Sequence, residues 1–435
     1  MKRIHINKVK ENVAQVVKIA GFVQTIRDQG SIKFLLIRDI TGIIQVVVTK
    51  EHKETLETAK KLTHESVVEI KGLAKEEKQA PGGFEIEAGE IKILSLADPE
   101  IPISVTEKGQ QGETEQPVRL DWRWIDLRKP QNLLTFKVWS LMEDAFRQYC
   151  NDNNYIEIHS PKLIATASES GAEVFEVKYF DRKAYLAQSP QFYKQMAMAA
   201  GFEKVFEVGP VFRAEPSFTS RHATEFTGYD LEISYIDSYE DVMKEEEKML
   251  AFVVEKIKEV YGEEIKEVFD REVVVPEIPF PKISMKEAKK ILAKMKIKSE
   301  KEGDLSPEEE TKIAEYVKKE YNHEFVFITE YPTSVRPFYH MREGEVTKSF
   351  DLLWNGLEIT TGAQREHRYD LLLKQAEEKN MPIESLQFYL NFFKYGCPPH
   401  GGIGIGPARM IMKLLNISNV RDATFIYRGV KRLKP

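Results

Sequence analysis

Between Phe212 and Asp230 the chain reads FRAEPSFTSRHATEFTGYD, which gathers Arg213, Glu215, Arg221, His222, Glu225 and Asp230 within nineteen residues. Alternation in KVFEVGPVFRAEP puts Arg213 and Glu215 on one strand face, opposite Phe212 and Ala214. TGYDLEIS likewise puts Asp230 and Glu232 on a common face. An antiparallel pair would turn an Arg, two or three carboxylates and the loop's Arg221 and His222 to one side. A solvated, salt-bridged face would look similar, but two Arg and a His beside Phe226 suit a polyanion.

Three more clusters carry chemistry. In DLLWNGLEIT, Asn355-Gly356 signals a two-residue turn that sets Glu358 opposite Leu353, on the face of Asp351. The two carboxylates then lie roughly 7 Å apart, a spacing of hard oxygen ligands that suits Mg²⁺ shared with phosphates. GGIGIGPARMIMKLL runs a glycine-rich strand into a helix with Pro407 in its first turn and Arg409 near its start. Too few residues follow for a Rossmann unit, and glycines that admit a flat ring under an Arg fit a nucleotide base better. In AQSPQFYKQMAM, Ser189 predicts an N-cap and Pro190 the first helical residue, so Gln191 and Lys194 share a face at i, i+3. An amide and an ammonium at a helix start make a carboxylate site.

These residues need elements to hold them. Residues 1–105 read as five β-branched runs with a helical stretch, EHKETLETAKKL, after the third. That is the pattern of the small Greek-key barrel called the OB-fold, with another barrel topology as the alternative. Residues 106–130 are rich in Pro, Gly and polar residues and suggest a linker. The rest, 131–435, opens with a long amphipathic helix from Asn132, followed by YIEIHSPKLI as a strand closed by proline. Strands joined by hairpins, with helices grouped between them, argue for α+β with an antiparallel sheet. Residues 270–325 are charged and resist placement beyond one helix in PFPKISMKEAKKILAKM, and they could be a small insertion.

Composition sets the outer bounds. With 435 residues, 42% hydrophobic and 30% charged, the chain reads as a soluble protein of two or three domains. Its net charge of −6 falls outside residues 1–105, where 16 Lys/Arg meet 15 Asp/Glu, and a local basic groove for nucleic acid stays open. No apolar run approaches the ~20 residues of a membrane span, and the N-terminal stretch lacks a signal-peptide core. Cys150 and Cys397 stand far apart, which excludes a disulfide framework or zinc ribbon and suits the cytoplasm.

The four clusters in this order, behind an OB-like domain, closely resemble the class II aminoacyl-tRNA synthetases. The nearest likeness is to aspartyl-tRNA synthetases of the archaeal and eukaryotic kind, over nearly the whole length. YIEIHSPKLI is similar to the first class II motif, FRAEPSFTSRHATEF to the second and GGIGIGPARM to the third. The resemblance implies that ATP and L-aspartate combine with Mg²⁺ to give aspartyl-adenylate, and that tRNA(Asp) takes the aspartyl group. By similarity, Arg213 binds the α-carboxylate and the ATP α-phosphate, and Arg213, Glu215 and Arg409 carry catalysis. Glu215 and the Arg221–His222 loop hold adenine and the outer phosphates while Phe226 stacks on the base. Ala223 and Gly406 belong to the same ATP site, and Arg409 covers the other face of the adenine or reaches the γ-phosphate. Glu358 and Thr361 hold Mg²⁺ with Asp351 close by; simple alternation puts Thr360 on the Glu358 face, so the match needs a bend near Gly362.

QSPQFYK and TGAQR are similar to the segments of aspartate enzymes, where Lys194 and Arg365 would clamp the β-carboxylate with Gln191, Asp230 and Thr361 alongside. Glu169 of the mobile loop SESGAE would meet the ammonium. An asparagine site would leave two cations facing a neutral amide, a costly mismatch. Three departures stand out: Ala408 where Glu usually precedes the Arg, Tyr427 and Gly429 around Arg428, and Ser170 where Gly is common.

In the N-terminal barrel the resemblance implies anticodon reading. Phe34 would stack on a base, Gln45 and Glu85 would bond base edges, and Arg27 would touch backbone or base, with Phe34 as a core residue the alternative. Gln24 and Pro81 stand where strict relatives carry Trp and Lys, so discrimination should relax and tRNA(Asn) be aspartylated too, for a partner amidotransferase to convert. The resemblance also implies a homodimer with Pro161 at its interface. Rivals are an asparaginyl enzyme, a tRNA-independent amide ligase on the same core, and an OB-type nucleic-acid binder.

Overall fold

Five strands close a barrel in the order β1-β2-β3-β5-β4: β1 (Val16–Asp28), β2 (Ile32–Asp39), β3 (Gly42–Thr49), β4 (Val67–Glu76) and β5 (Phe84–Ser95). A helix, Lys53–Lys60, follows β3 as the OB pattern requires. Alternation explains the closure, since Ile19, Val23, Leu35, Ile37, Val46, Val48, Ile70 and Ile86 all turn inward and are buried. Gly21 and Gly72 let strands cross closely: a Cβ would lie 2.3 Å from Arg38 O and 2.2 Å from Glu87 O. The structure, a computed structural model, describes residues 1–106, 114–166, 173–299 and 301–435. The chain divides into two units, Met1–Leu133 and Leu134–Pro435. Helical turns at Gln116–Asp121 and Arg123–Asp126 occupy a stretch whose composition suggested only an irregular linker.

The second unit is built on an eight-stranded sheet, ordered β12-β13-β16-β17-β18-β11-β10-β6. Its strands are β6 (Ile156–Glu157), β10 (Lys204–Phe212), β11 (Glu225–Ser234), β12 (Lys282–Ser284), β13 (Phe325–Thr329), β16 (Ser349–Trp354), β17 (Leu357–Gln364) and β18 (His400–Ile405). Pairing is antiparallel except at the two edges, β12 with β13 and β6 with β10. Two small sheets accompany it: β7 (Leu163–Ile164), β8 (Glu176–Tyr179) and β9 (Arg182–Leu186), and the hairpin of β14 (Arg342–Glu343) and β15 (Val346–Thr347). One face of the large sheet is covered by the helices Pro130–Asp152 and Tyr239–Phe269, where Phe146 stacks on Tyr229 at 4.6 Å and Val253, Val254 and Ile257 are buried. The other face carries the polar residues of the next section.

Residues 270–325 add the edge strand β12 and the helices Met285–Lys294 and Pro307–Tyr321, which share a small core with Val326, Ile328 and Leu353. The second helix opens with a capping box between Ser306 and Glu309. The helix Ile383–Lys394 carries no sequence expectation here; its packing on Phe192 and Phe338 comes from Leu386, Tyr389, Leu390 and Phe393.

One buried acid stands out in this core. Glu246 on the helix Tyr239–Phe269 is fully buried, and neither carboxyl oxygen makes a well-formed hydrogen bond, although Thr360 lies beside it. Burial pushes its carboxyl up from 4.5 to about 8. The folded state therefore keeps a proton that the unfolded chain loses above its ordinary value, so stability drains away as pH rises between the two. Glu246→Gln removes that slope. It should stabilise the protein by about 3 kcal/mol at pH 7, with no gain below the ordinary carboxyl range. Chemical denaturation at pH 4.5 and pH 7 checks this, and an equal effect at both would refute it.

Candidate active site

β10, β11, β17 and β18 line a cavity of about 340 Å³ with the start of the helix Gln191–Ala199 and the Arg213–Phe226 connection. It brings together Gln191, Lys194, Arg213, Glu215, Arg221, His222, Ala223, Phe226, Asp230, Glu358, Thr361, Arg365, Gly406 and Arg409. These come from four separate stretches of sequence, Gln191–Lys194, Arg213–Asp230, Glu358–Arg365 and Gly406–Arg409. Glu169 and Ser170 lie outside the described residues. A more open hollow of about 620 Å³, walled by Phe136, Trp139, Glu143, Phe425 and Arg428, holds no comparable concentration of cations. The chemistry points to the smaller cavity.

Its floor is a buried charge network. Lys194 Nζ donates to Asp230 Oδ1 at 2.8 Å and to Ile403 O at 2.9 Å, and lies 3.4 Å from Glu232 Oε2. Arg365 donates through Nε and Nη2 to the two oxygens of Glu232, at 3.0 and 3.3 Å, and through Nη2 to Gly402 O at 3.0 Å. Two cations thus face two carboxylates, all nearly inaccessible. Burial pushes Asp230 up against the pull of Lys194, whereas for Glu232 the charges of Arg365 and Lys194 outweigh burial and hold it below the usual range. Arg365 Nη1 also meets His340 Nε2 at 3.1 Å; burial and the Arg365 charge hold this His well below its ordinary value, so it accepts.

The local reasons differ in part from the sequence expectations. The helix begins at Gln191, with Pro190 in the N-cap place, and Ser189 Oγ accepts from Gln191 N at 3.3 Å, so the cap sits one residue later than expected. β10 ends at Phe212, so strand alternation does not place Arg213 and Glu215; the irregular segment after it does. Gly404 and Gly406 line the cavity, while Gly402 leaves space for β11, since a Cβ would sit 2.1 Å from Leu231 O and 2.2 Å from Glu232 Oε2. Asn355 and Gly356 take φ of 44° and 74°, as a two-residue hairpin requires, and Gly356 also fits against Thr311 Cα, 2.8 Å from where a Cβ would lie.

Register then explains the Thr361 puzzle. Leu353 pairs with Glu358 and Leu352 with Thr360, so Ile359 is an extra residue. This bulge, not a bend near Gly362, rephases β17 and brings Thr361 Oγ1 to 3.5 Å from Glu358 Oε1. Asp351 pairs with Thr361 but lies behind the cavity lining, where Arg336 Nη2 donates to its Oδ2 at 2.6 Å and Tyr331 stands beside the carboxylate, although Oδ1 makes no well-formed hydrogen bond. Glu358 and Thr361, with Asp351 behind them, offer only oxygen donors, which fits a hard cation such as Mg²⁺.

The mobile-looking charges are tied down too. Arg221 Nη1 donates to Glu310 Oε2 at 2.6 Å, an acid from the helix Pro307–Tyr321 that sequence reasoning did not find. Burial raises Glu310 to about 7 despite that partner. Arg409 Nη1 donates to Glu358 O at 2.8 Å and to its Oε1 at 3.2 Å. Burial and the Arg409 charge lower His222, which shares its Nδ1 with Ser217 and Thr219. Arg213 is the least restrained: 45% of its side chain is exposed, Glu215 is 3.8 Å away, and its guanidinium lies 5.7 Å from the Phe226 ring centre. Tyr427 OH donates to His222 O at 3.1 Å and leaves no room for a Cβ at Gly429, so these two unusual residues accommodate each other.

In the barrel, Arg27 pairs with Phe34 and Phe34 with Val47, while Gln45 Nε2 donates to Glu85 Oε2 at 2.9 Å. Phe34 is half-buried on the outer face of β2, between the inward, buried Lys33 and Leu35, and is not part of the core. Gln24 occupies a bulge in β1, where its Oε1 accepts from Arg38 Nη1 at 3.1 Å; Pro81 is exposed in a short turn.

Comparison with known proteins agrees across the chain. Residues 115–427 match the family described as tRNA synthetases class II (D, K and N), and residues 17–94 match the OB-fold nucleic acid binding domain. The chain is 44% identical to the aspartate–tRNA(Asp/Asn) ligase of Methanopyrus kandleri over 428 residues, 98% of this chain and 97% of that protein. It is 40% identical to the aspartate–tRNA(Asp) ligase of Pyrococcus furiosus over 442 aligned positions, covering both chains completely. The structure of asparaginyl-tRNA synthetase from Pyrococcus horikoshii complexed with asparaginyl-adenylate superposes with a TM-score of 0.91 at 33% identity, covering both chains completely.

Proposed function

The chain belongs to the class II tRNA synthetases of the D, K and N group, and from that premise we propose that it is an aspartate–tRNA ligase, activating L-aspartate with ATP and passing it to tRNA(Asp). The observation that carries the choice of amino acid is the Lys194–Arg365 pair at the cavity floor, fixed by Asp230 and Glu232. Beyond their bonds to Asp230 and Glu232, two oriented cations offer a side-chain carboxylate charge-assisted donors, whereas the NH2 of a neutral amide would face donors with no acceptor. Relatives at 38–44% identity carry the aspartate name, which supports the same choice over the asparaginyl alternative.

Arg213 would meet the α-carboxylate and the reacting phosphate, with Glu215, Arg221, His222, Phe226, Gly406 and Arg409 around the nucleotide. Glu358 and Thr361, with Asp351 beneath, would hold Mg²⁺, which supplies charge neutralisation for the ATP phosphates when bound. Catalysis is then positioning and electrostatic stabilisation. Cys397 is no rival nucleophile, since burial pushes its thiol up to about 12. Family membership also supports a homodimer, and Ile156 and Leu163, both about half exposed on either side of Pro161, suit a covered face. No helix among the described residues is long and apolar enough to cross a membrane, and a cytoplasmic place suits tRNA charging.

The outer barrel row of Arg27, Phe34, Gln45 and Glu85 reads the anticodon. Gln24, occupied with Arg38, and Pro81 provide neither a stacking ring nor a cation, so aspartate should be attached to tRNA(Asn) as well. Charging of tRNA(Asp) and tRNA(Asn) transcripts with labelled aspartate tests both statements. Both should be aspartylated within roughly a hundredfold of each other, about 2.7 kcal/mol. A larger preference would mark a discriminating enzyme, and failure with both would overturn the ligase reading.

A further inference from the structure

The tip of the β8–β9 hairpin is built against the ordinary rules of a turn. Phe180 has φ of +55° and exposes 80% of its surface. Two-residue hairpin turns favour Gly, Asn or Asp where φ is positive, and a bulky side chain there is a genuine outlier. Neither the turn nor any core accounts for a phenylalanine. Its ring meets Tyr179 edge-on at 4.9 Å, and Arg182 lies 5.8 Å from the Tyr179 ring centre. All six residues of KYFDRK, Lys178 to Lys183, are exposed and carry three cations to one anion. Lys178 faces Lys183 directly across the ladder; Lys183 is paired with Glu176 at 3.0 Å, while Lys178 makes no ion pair among the described residues. Like charges opposite each other are unfavourable unless an anion joins them.

Position supplies the partner. The two feet of the hairpin stand on the cavity rim, where Glu173 and Gln188 both line the wall and Gln188 Nε2 donates to Glu173 O at 3.1 Å. At ~3.3 Å per residue the tip stands within roughly 25 Å of that rim. A tRNA whose terminal ribose enters the cavity crosses the rim from which the hairpin rises. Exposed aromatics between cations are the groups that bind nucleic acid, by base stacking and phosphate contact.

We infer that the β8–β9 hairpin tip docks the tRNA acceptor end, with Phe180 stacking on an exposed base and Lys178 and Arg182 on backbone phosphates. The inference rests on the aspartate–tRNA ligase reading, and the test separates the two. Phe180→Ala and Phe180→Gly in the full chain are assayed for aspartate-dependent pyrophosphate exchange, for charging of tRNA(Asp) transcript, and for charging of a minihelix of its acceptor arm. Exchange should stay within twofold, and the thermal midpoint of the glycine variant should not fall, because glycine accepts this backbone. The tRNA KM should rise roughly five- to a hundredfold, the range base–aromatic stacking spans, and by a similar factor on the minihelix. Lys178→Glu with Arg182→Glu should raise it further and flatten its salt dependence. Unchanged KM in all variants, a parallel fall in exchange, or a loss of the native oligomer would each overturn the inference. Absence of exchange in the unmodified chain would instead overturn the ligase reading, and this inference with it.

Discussion

Lys194→Met should raise the aspartate KM in pyrophosphate exchange on the order of a hundredfold or more. The lysine is 2% exposed and its ammonium is held by Asp230 and by a backbone carbonyl of β18. Its removal takes away one of two cations aimed at the substrate's second carboxylate, and leaves Asp230 buried and uncompensated. Truncating one partner of such a pair costs about 2–5 kcal/mol. The ATP KM should move far less, because Arg221 and Arg409 are anchored independently through Glu310 and Glu358. An aspartate KM within threefold of the unmodified enzyme would remove Lys194 from the substrate site.

Glu232→Gln should be as damaging, for a different reason. This carboxylate is fully buried and is the shared counter-charge of Arg365 and Lys194. Neutralising it leaves two cations with Asp230 alone, and breaking a buried pair from one side costs about 3–5 kcal/mol. Part of that loss should appear as a lower denaturant midpoint. The rest should appear as a higher aspartate KM, since Arg365 keeps at most one, uncharged, acceptor at position 232 beside Gly402 O and His340. A midpoint and a KM both unchanged would show that the network does not hold the site.

The barrel was legible because its strands alternate cleanly, and inward positions such as Leu35 and Ile37 sort themselves from outward Phe34. So were Asp230 and Glu232 on one face, and Gln191 and Lys194 on one helix turn, since each needs only local periodicity. What escaped depends on contacts between distant segments. Glu310 belongs to a charged helix whose role appears only when Arg221 folds against it. Arg336 and His340 sit in an aperiodic stretch, and nothing local says that they support Asp351 and Arg365. The bulge at Ile359 is a property of two paired strands, invisible in either alone. The need for Gly402 also depends on paired strands, because a side chain there would meet Leu231 O and Glu232.

The central claim is that the paired cations at the cavity floor select aspartate, and ATP–pyrophosphate exchange in the presence of aspartate or asparagine, with the unmodified chain and Mg²⁺, measures that selection directly. Exchange should depend on aspartate and be nearly absent with asparagine at equal concentration. Comparable exchange with both amino acids, or a preference for asparagine, would contradict the account.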